Sequence, residues 1–204
     1  MSRSDPGAAA GREIYFCVDI EASGPVPALF NMVSLGAVPV ACDEGRGGWR
    51  PVDERFYVEL KPIAAGFDPG AMAIHGLTRA HLEAHGVAAD EAMRRLARFV
   101  AQHARGGAEA VFVGHNAVFD WSFVAYYFAL YGIPNPFGYK GLDTKSLAMG
   151  RLGIPWLDTS KERLQALLPD LPPLDASLVH RADYDALYQA RILCALLNLP
   201  PGRA

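Results

Sequence analysis

Residues 14–20 form an almost continuously apolar run, and two carboxylates, Asp19 and Glu21, lie at its end. Bounded by Gly and Pro, such a run predicts a strand that is buried on both faces, as in the middle of a sheet. Side chains alternate along a strand, so Asp19 and Glu21 point to the same face. Neighbouring carboxylates at the edge of a core repel each other and are costly to desolvate, and a bound cation offsets both effects. The stretch therefore predicts one half of a metal site.

The composition is that of one folded domain. A chain of 204 residues with 51% hydrophobic and 20% charged residues is long enough to bury its own core. Its net charge of −3 provides no global basic field of the kind that indicates nucleic-acid binding. That charge leaves out bound metal, and two divalent ions would add four positive charges, so that −3 plus 4 gives +1. The acidic balance therefore does not exclude a phosphate-bearing substrate.

The cysteines and the chain ends predict a cytoplasmic protein. Cys17, Cys42 and Cys194 are far apart and show no CxxC spacing, which argues against a disulfide framework or a structural zinc site. No apolar run is long enough to span a membrane, so no membrane partner is expected. Residues 1–11 are small and polar without the apolar region of a signal peptide, and we expect a disordered leader there. Residues 200–204 are expected to form a short tail.

The order of the predicted elements indicates a single α/β domain over residues 12–199. Strands are predicted at residues 14–20, 32–41, 56–60 and 110–114, with a hairpin turn at 42–48. The first three strands are predicted to form an antiparallel meander. Helices are predicted at residues 69–75, 78–86, 90–105, 120–131, 144–153, 161–168 and 183–197. Strands come first and strand–helix units follow, which predicts a mixed sheet.

Three later residues could complete the metal site, although each has a simpler explanation when taken alone. Asp120 directly follows a buried strand, at the sheet edge where sites form, but an acid at a helix N-terminus also interacts favourably with the helix dipole. Asp183 or Asp185 could cap the last helix, and His180 could be an ordinary polar loop residue. If His180 is still in the loop, however, it can lie over a site that Asp185 enters from the helix.

The polar residues form an ordered set of three motifs, namely Asp19-x-Glu21, Asn116-x-x-x-Asp120 and His180-x-Ala-x-x-Asp185. This set resembles the motifs of the DEDDh (DnaQ-like, RNase T-like) 3′→5′ exonuclease superfamily. Residues 73–78 are similar to that family's IHGIT-like segment, and Asp143-Thr144 is similar to its DT element. The resemblance covers residues 12–199. It implies an RNase H-like fold, with a five-stranded mixed sheet whose second strand is antiparallel to the rest, flanked by helices.

The same resemblance implies a reaction. Two Mg²⁺ or Mn²⁺ ions would be held by Asp19, Glu21, Asp120 and Asp185, whose hard oxygen atoms suit such ions. His180 would act as the general base that accepts a proton from the attacking water. The enzyme would act on the 3′ end of single-stranded DNA or RNA and release nucleoside 5′-monophosphates.

The resemblance also implies substrate contacts. The terminal nucleotide would lie against Ala22, Ser23 and Gly24. His75 and Asn116 would contact the substrate or support the ligands, although a histidine at a helix C-terminus can equally be satisfied by local carbonyl groups. Phe30 is a candidate for base stacking, whereas Phe119 and Trp121 are predicted to lie in the core.

Departures from the family pattern leave the substrate open. Ser23 replaces a common Thr, and Pro25 replaces a Leu that often wedges beneath the terminal base. An oligoribonuclease or dinucleotide phosphodiesterase is therefore one alternative, and a non-catalytic nucleic-acid-binding module of the same fold is another. A homodimer is an expectation from the resemblance alone.

Overall fold

The computed structural model of the protein describes residues 13–43, 45 and 47–200. The leader predicted at residues 1–11 lies outside this range, as do four of the five residues of the predicted tail. The strands are β1 (Glu13–Ala22), β2 (Met32–Asp43), β3 (Gly48–Pro51), β4 (Phe56–Glu59), β5 (Glu109–Gly114) and β6 (Gly141–Asp143). The helices are α1 (Pro69–His75), α2 (Arg79–His85), α3 (Ala89–His103), α4 (Ala117–Leu130), α5 (Thr144–Leu152), α6 (Lys161–Leu167) and α7 (Ala182–Asn198), with a 3₁₀ helix at Trp156–Asp158.

All strands belong to one mixed sheet with the order β3-β2-β1-β5-β6, and β4 also pairs with β2. β1, β5 and β6 are parallel to one another, whereas β2 is antiparallel to β1, β3 and β4. The prediction that the second strand is antiparallel to the rest is therefore confirmed, as is the antiparallel meander.

The sheet has six strands in five positions, because β3 and β4 share the edge position beside β2. Pro51 at the end of β3 pairs with Val40, and Phe56 at the start of β4 pairs with Ala37, so both strands lie along the same side of β2. Exposed charged residues separate the two strands. The sequence interpretation ended the turn at residue 48 and predicted no strand at 49–51, because four residues are too few to show a period of two.

β1 is buried on both faces, as predicted. Phe16, Val18 and Ile20 pack into the main core, to which α3 and α4 also contribute. Cys17 lies on the opposite face, in the cluster that α7 forms with the sheet. Because side chains alternate, Asp19 shares the face of Cys17 and points towards α7.

Gly36 of β2 allows α7 to lie close to the sheet. Gly36 is the register partner of Asp19, and a Cβ atom at this position would overlap the backbone of Ala182 and Asp183. A glycine is therefore needed where the first turn of α7 crosses the sheet. This close approach brings the start of α7 next to the end of β1.

α7 is buried along most of its length. One side packs on the sheet through residues such as Ala186 and Ala190, and the other packs on α5 and α6 through residues such as Tyr188 and Ile192. A helix covered on two sides has no wide polar face, so its side chains at the site are fixed by the surrounding core.

α4 begins at Ala117, three residues earlier than the sequence predicts. Its N-cap residue, Asn116, has a left-handed backbone with φ 74°. The Asp143 Oδ1 atom accepts hydrogen bonds from the backbone N–H groups of Asn116 and Ala117, at 2.8 and 3.2 Å. A carboxylate on β6 thus determines where α4 starts, which a local pattern cannot show.

No helix in the described part of the chain combines the length and apolar character that crossing a membrane requires.

Candidate active site

The structure brings the four predicted carboxylates and His180 to one depression. Asp19 and Glu21 come from β1, Asp120 from the first turn of α4, and Asp185 from the first turn of α7. The depression has a volume of about 250 Å³ and is also lined by His115, Asn116 and Lys161. Asp120 and Asp185 are almost completely buried, with 5% and 2% of their surface exposed.

Short hydrogen bonds hold three of these carboxylates in place. Asp120 Oδ1 accepts the backbone N–H of Ile20 at 3.0 Å, which ties α4 to β1. Asp185 Oδ2 accepts the backbone N–H of His180 at 2.6 Å. Asp19 Oδ1 accepts a hydrogen bond from Gln189 Nε2 of α7 at 2.5 Å. The sequence did not indicate Gln189, which lies one helical turn after Asp185 and therefore on the same face.

Burial makes this cluster electrostatically costly. The pKa of Glu21 is raised to about 8, first by burial and then by the negative charge of Asp185. Burial also raises the pKa of Asp120 to about 7. The pKa of Asp19 is raised well above its ordinary range by burial, which the positive charge of Lys161 opposes. A group of carboxylates that resist ionisation together is stabilised by a cation placed between them.

Lys161 is the cation that the sequence analysis missed. It is the first residue of α6, where its Nζ atom forms a hydrogen bond with Asp185 Oδ1 and lies 4.0 Å from Asp19 Oδ1. Burial opposes the charged form, but Asp19 and Asp185 raise the pKa of Lys161 above its ordinary range, so it stays an ammonium. A positive charge at a helix N-terminus is unfavourable, and this was the available signal that Lys161 has an acidic partner.

His180 lies at the rim of the depression, in the loop before α7. Its backbone is left-handed with φ 67°, and 52% of its side chain is exposed. Its Nδ1 atom is 4.0 Å from Glu21 Oε1. One potential ligand atom from each of Glu21, His180 and Asp185 lies within 4.8 Å of the other two. The imidazole can thus reach both the carboxylates and the solvent.

His115 is a second histidine of the depression that the sequence analysis missed. Its Nδ1 atom lies 2.8 Å from Thr144 Oγ1, and its Nε2 atom is buried. The pKa of His115 is lowered to about 4, first by burial and then by the positive charges of Lys161 and Lys145. The ring is therefore neutral near pH 7.

An apolar groove of about 410 Å³ adjoins the depression and shares Glu21 and Phe119 with it. Ala22, Gly24, Pro25 and Ile74 also line this groove. Phe119, which was predicted to lie in the core, packs against Phe123 and also faces the groove.

Ser23 does not line the groove. Its side chain is fully buried, where the hydroxyl donates to the Gly66 carbonyl at 2.7 Å and accepts the backbone N–H of Asn31 at 2.8 Å. The ring of Phe30 lies where a Cβ atom at Gly24 would be, so Phe30 packs against the loop. These contacts order the rim of the groove.

His75 and Asn116 are placed differently from each other. His75 is half-buried, and its Nδ1 atom accepts the backbone N–H of Leu77 at 3.1 Å, so the proton is on Nε2. That Nε2 atom is buried, and a hydrogen bond with the backbone of Ala22 favours the charged form of the ring. Burial lowers the pKa of His75. Asn116 is exposed at the depression, and its left-handed backbone begins α4.

A mixed sheet with an antiparallel second strand, and four acids gathered at the end of its first strand, define the class of RNase H-like DEDDh nucleases. Comparison with solved structures agrees. The nuclease domain of 3′hExo, a DEDDh family member bound to rAMP, superposes with a TM-score of 0.72 at 13% sequence identity, covering 91% of this chain and 92% of that chain.

The chain belongs to the family of Rv2179c-like 3′-5′ exoribonuclease domains, whose model matches residues 15–197. It is 35% identical over 189 residues to the 3′-5′ DNA exonuclease Cap18 of Escherichia coli, covering 92% of this chain and 91% of that protein. It is 30% identical over 207 residues to Ribonuclease T of Yersinia pseudotuberculosis serotype O:1b (strain IP 31758), covering 96% and 91%. The protein is thus a 3′-5′ exonuclease of the DEDDh type, a hydrolase of a class that uses divalent metal ions.

Proposed function

We propose that this enzyme removes nucleotides from the 3′ end of single-stranded DNA or RNA with two divalent metal ions, and that His180 is the general base. The observation that carries the proposal is the convergence of four carboxylates, two of them buried, and one exposed imidazole on a single depression beside an apolar groove.

The donor set fits hard divalent ions such as Mg²⁺ or Mn²⁺. All four candidate ligands, Asp19, Glu21, Asp120 and Asp185, offer carboxylate oxygen atoms, which these ions prefer. The pKa values of Glu21 and Asp120 are raised, mainly by burial. A cation bound between these side chains would favour their ionised forms. When bound, two ions would stabilise the charge that develops on the attacking and leaving oxygen atoms at phosphorus.

His180 is placed to accept the proton of the attacking water. Its imidazole is at the rim, half exposed, while its backbone N–H is bound by Asp185. The backbone of the proposed base is therefore anchored to a carboxylate that would hold an ion. Imidazole is the side-chain group that most often transfers protons at neutral pH.

The apolar groove is the proposed site of the terminal nucleotide. Ala22, Gly24, Pro25, Ile74 and Phe119 present a mostly apolar surface directly beside Glu21, which suits a base and its sugar. The names of the relatives differ on the nucleic acid, because the family model is an exoribonuclease and Cap18 is a DNA exonuclease. We therefore propose single strands of either type as substrates. A cytoplasmic location and a homodimer stay predictions.

A degradation assay tests this function. Single-stranded DNA, single-stranded RNA and dinucleotides, each labelled at the 5′ end, are incubated with Mn²⁺ and either wild type or Asp19→Asn. We expect wild type to shorten the strands stepwise and to release nucleoside 5′-monophosphates, and Asp19→Asn to be inert. Glu83→Gln, a change on the exposed side of α2, is the matched control and should behave like wild type. The proposal fails if wild type and Asp19→Asn are equally inactive on every substrate.

A further inference from the structure

Lys161 forms its ion pairs with the acid cluster below the surface, unlike an ordinary ion pair between exposed side chains. Its side chain is only 17% exposed, and its two partners, Asp19 and Asp185, are 15% and 3% exposed. All three residues line the depression, so the ammonium contacts the acids at the place where a metal ion would be held.

The other oxygen atom of Asp185 is already engaged. Asp185 Oδ2 accepts the backbone N–H of His180, so Oδ1 is the atom left for a cation, and Lys161 holds it. Asp19 Oδ1 is held by Gln189 and lies 4.0 Å from the same ammonium. A divalent ion that used Asp185 Oδ1 would compete directly with Lys161.

The charges of the site explain what Lys161 contributes when metal ions and substrate are bound. Four carboxylates and one ammonium leave three negative charges in the depression. Two divalent ions would supply four positive charges, which is one more than neutralises these three negative charges. The single negative charge of a phosphodiester then makes the whole assembly neutral, whereas without Lys161 the assembly would carry a negative charge when the substrate is bound.

We propose that Lys161 is an exchangeable counter-ion of this site: it holds Asp185 and Asp19 in the metal-free protein, a divalent ion displaces it, and the released ammonium binds the phosphodiester of the substrate. The inference rests on the proposed metal site. It assigns Lys161 two opposite effects, because it weakens metal binding and strengthens substrate binding. A residue that only fastened α6 to α7 would not have opposite effects on the two ligands.

Calorimetric titration of the full chain with Mn²⁺, without substrate, tests the first effect at pH 8. Lys161→Met keeps the length of the side chain and removes its charge, and we expect it to bind Mn²⁺ roughly tenfold more tightly than wild type, because a unit charge in the ion's position is removed. Lys161→Arg keeps the charge and should stay near wild type. Wild type that binds no divalent ion would refute the proposed metal site, whereas equal or weaker binding by Lys161→Met would refute only the role of Lys161.

Steady-state kinetics on a single strand test the second effect. For Lys161→Met we expect KM to rise roughly tenfold, in the direction opposite to its metal affinity, since the phosphodiester loses a charged partner. A variant that loses affinity for metal and substrate together would show that Lys161 only supports the fold, and the proposal would be wrong.

A measurement on wild type keeps the proposal testable if Lys161→Met does not fold. Amine-reactive labelling followed by mass spectrometry distinguishes the four lysines of the chain, at positions 61, 140, 145 and 161. We expect Lys161 to be protected in the metal-free protein and to react several-fold faster when Mn²⁺ is bound, while Lys61 and Lys140 are unchanged. Lys161 that stays equally protected with bound Mn²⁺ would overturn displacement.

Discussion

Replacing Glu21 by Gln should stabilise the metal-free protein at alkaline pH while abolishing activity. Glu21 is buried beside Asp185, and its pKa is about 8 in the folded protein against an ordinary 4.5. The folded state therefore binds this proton more tightly than the unfolded state does. The stabilising effect of this bound proton is complete below pH 4.5 and is lost as the pH rises towards 8. Glutamine has no proton to lose, so the variant does not share this loss.

The structure sets the magnitude of the effect. At about 1.4 kcal/mol per pH unit, the interval from 4.5 to about 8 corresponds to roughly 5 kcal/mol for the fully ionised group. At pH 8 half of the folded molecules still hold the proton, so the expected loss of stability of wild type relative to Glu21→Gln is roughly 4 kcal/mol. Neighbouring carboxylates titrate together and the unfolded chain is not fully solvated, so we expect a measured gain of about 2 kcal/mol or more. At pH 5 the same reasoning gives less than about 1 kcal/mol.

Urea denaturation in EDTA at pH 5 and pH 8 measures both values. Glu83→Gln, on the exposed side of α2, provides the control for the chemical change itself. Adding Mn²⁺ should stabilise wild type more than Glu21→Gln, because the variant has lost a candidate ligand. A gain below about 1 kcal/mol at pH 8, or the same gain at both pH values, would refute the view that burial of this acid destabilises the metal-free fold.

Three further predictions concern single residues. His180→Ala should lower turnover by roughly 100-fold or more, the usual effect of losing a general base, while calorimetry shows Mn²⁺ affinity within about threefold of wild type; equal losses would make His180 a ligand. Gly36→Ala should lower the free energy of unfolding by about 2 kcal/mol or more, because its Cβ overlaps the start of α7. Gly150→Ala is the control, since a Cβ there meets nothing within 4 Å in the described chain. It should raise the free energy of unfolding by roughly 0.5–1 kcal/mol in the same urea titration. Asn116→Ala should lower the free energy of unfolding by about 1 kcal/mol because of the left-handed backbone, and Asn116→Gly should not. Equal stability of the two variants would contradict the backbone argument. A rise of KM in both variants would show a substrate contact.

The candidate ligands could be found from sequence because their spacing follows from the fold. Asp19 and Glu21 end a buried strand, Asp120 follows another, and Asp185 begins a helix, so each is located by an element that has its own hydrophobic pattern. The joint order of these residues was more informative than any one of them. Their roles as ligands are proposals that the assays above test.

Other residues of the site could not be found in this way. Lys161 and Gln189 each reach Asp19 across long sequence separations, and no local period marks a single residue that points inwards. His115 is visible in sequence only as the neighbour of Asn116. β6 has three residues, too few for a pattern, yet its Asp143 determines where α4 begins.

The hydrogen bond between Gln189 and Asp19 joins residues that are 170 positions apart. During synthesis, β1 with Asp19 leaves the ribosome well before α7 with Asp185 and Gln189 has been translated. The face of β1 that carries Asp19 is uncovered until α7 packs on it, so a chain that has been made only as far as α6 has neither Asp185 nor His180. The nuclease would therefore become active only after α7 has been made and has packed on the sheet.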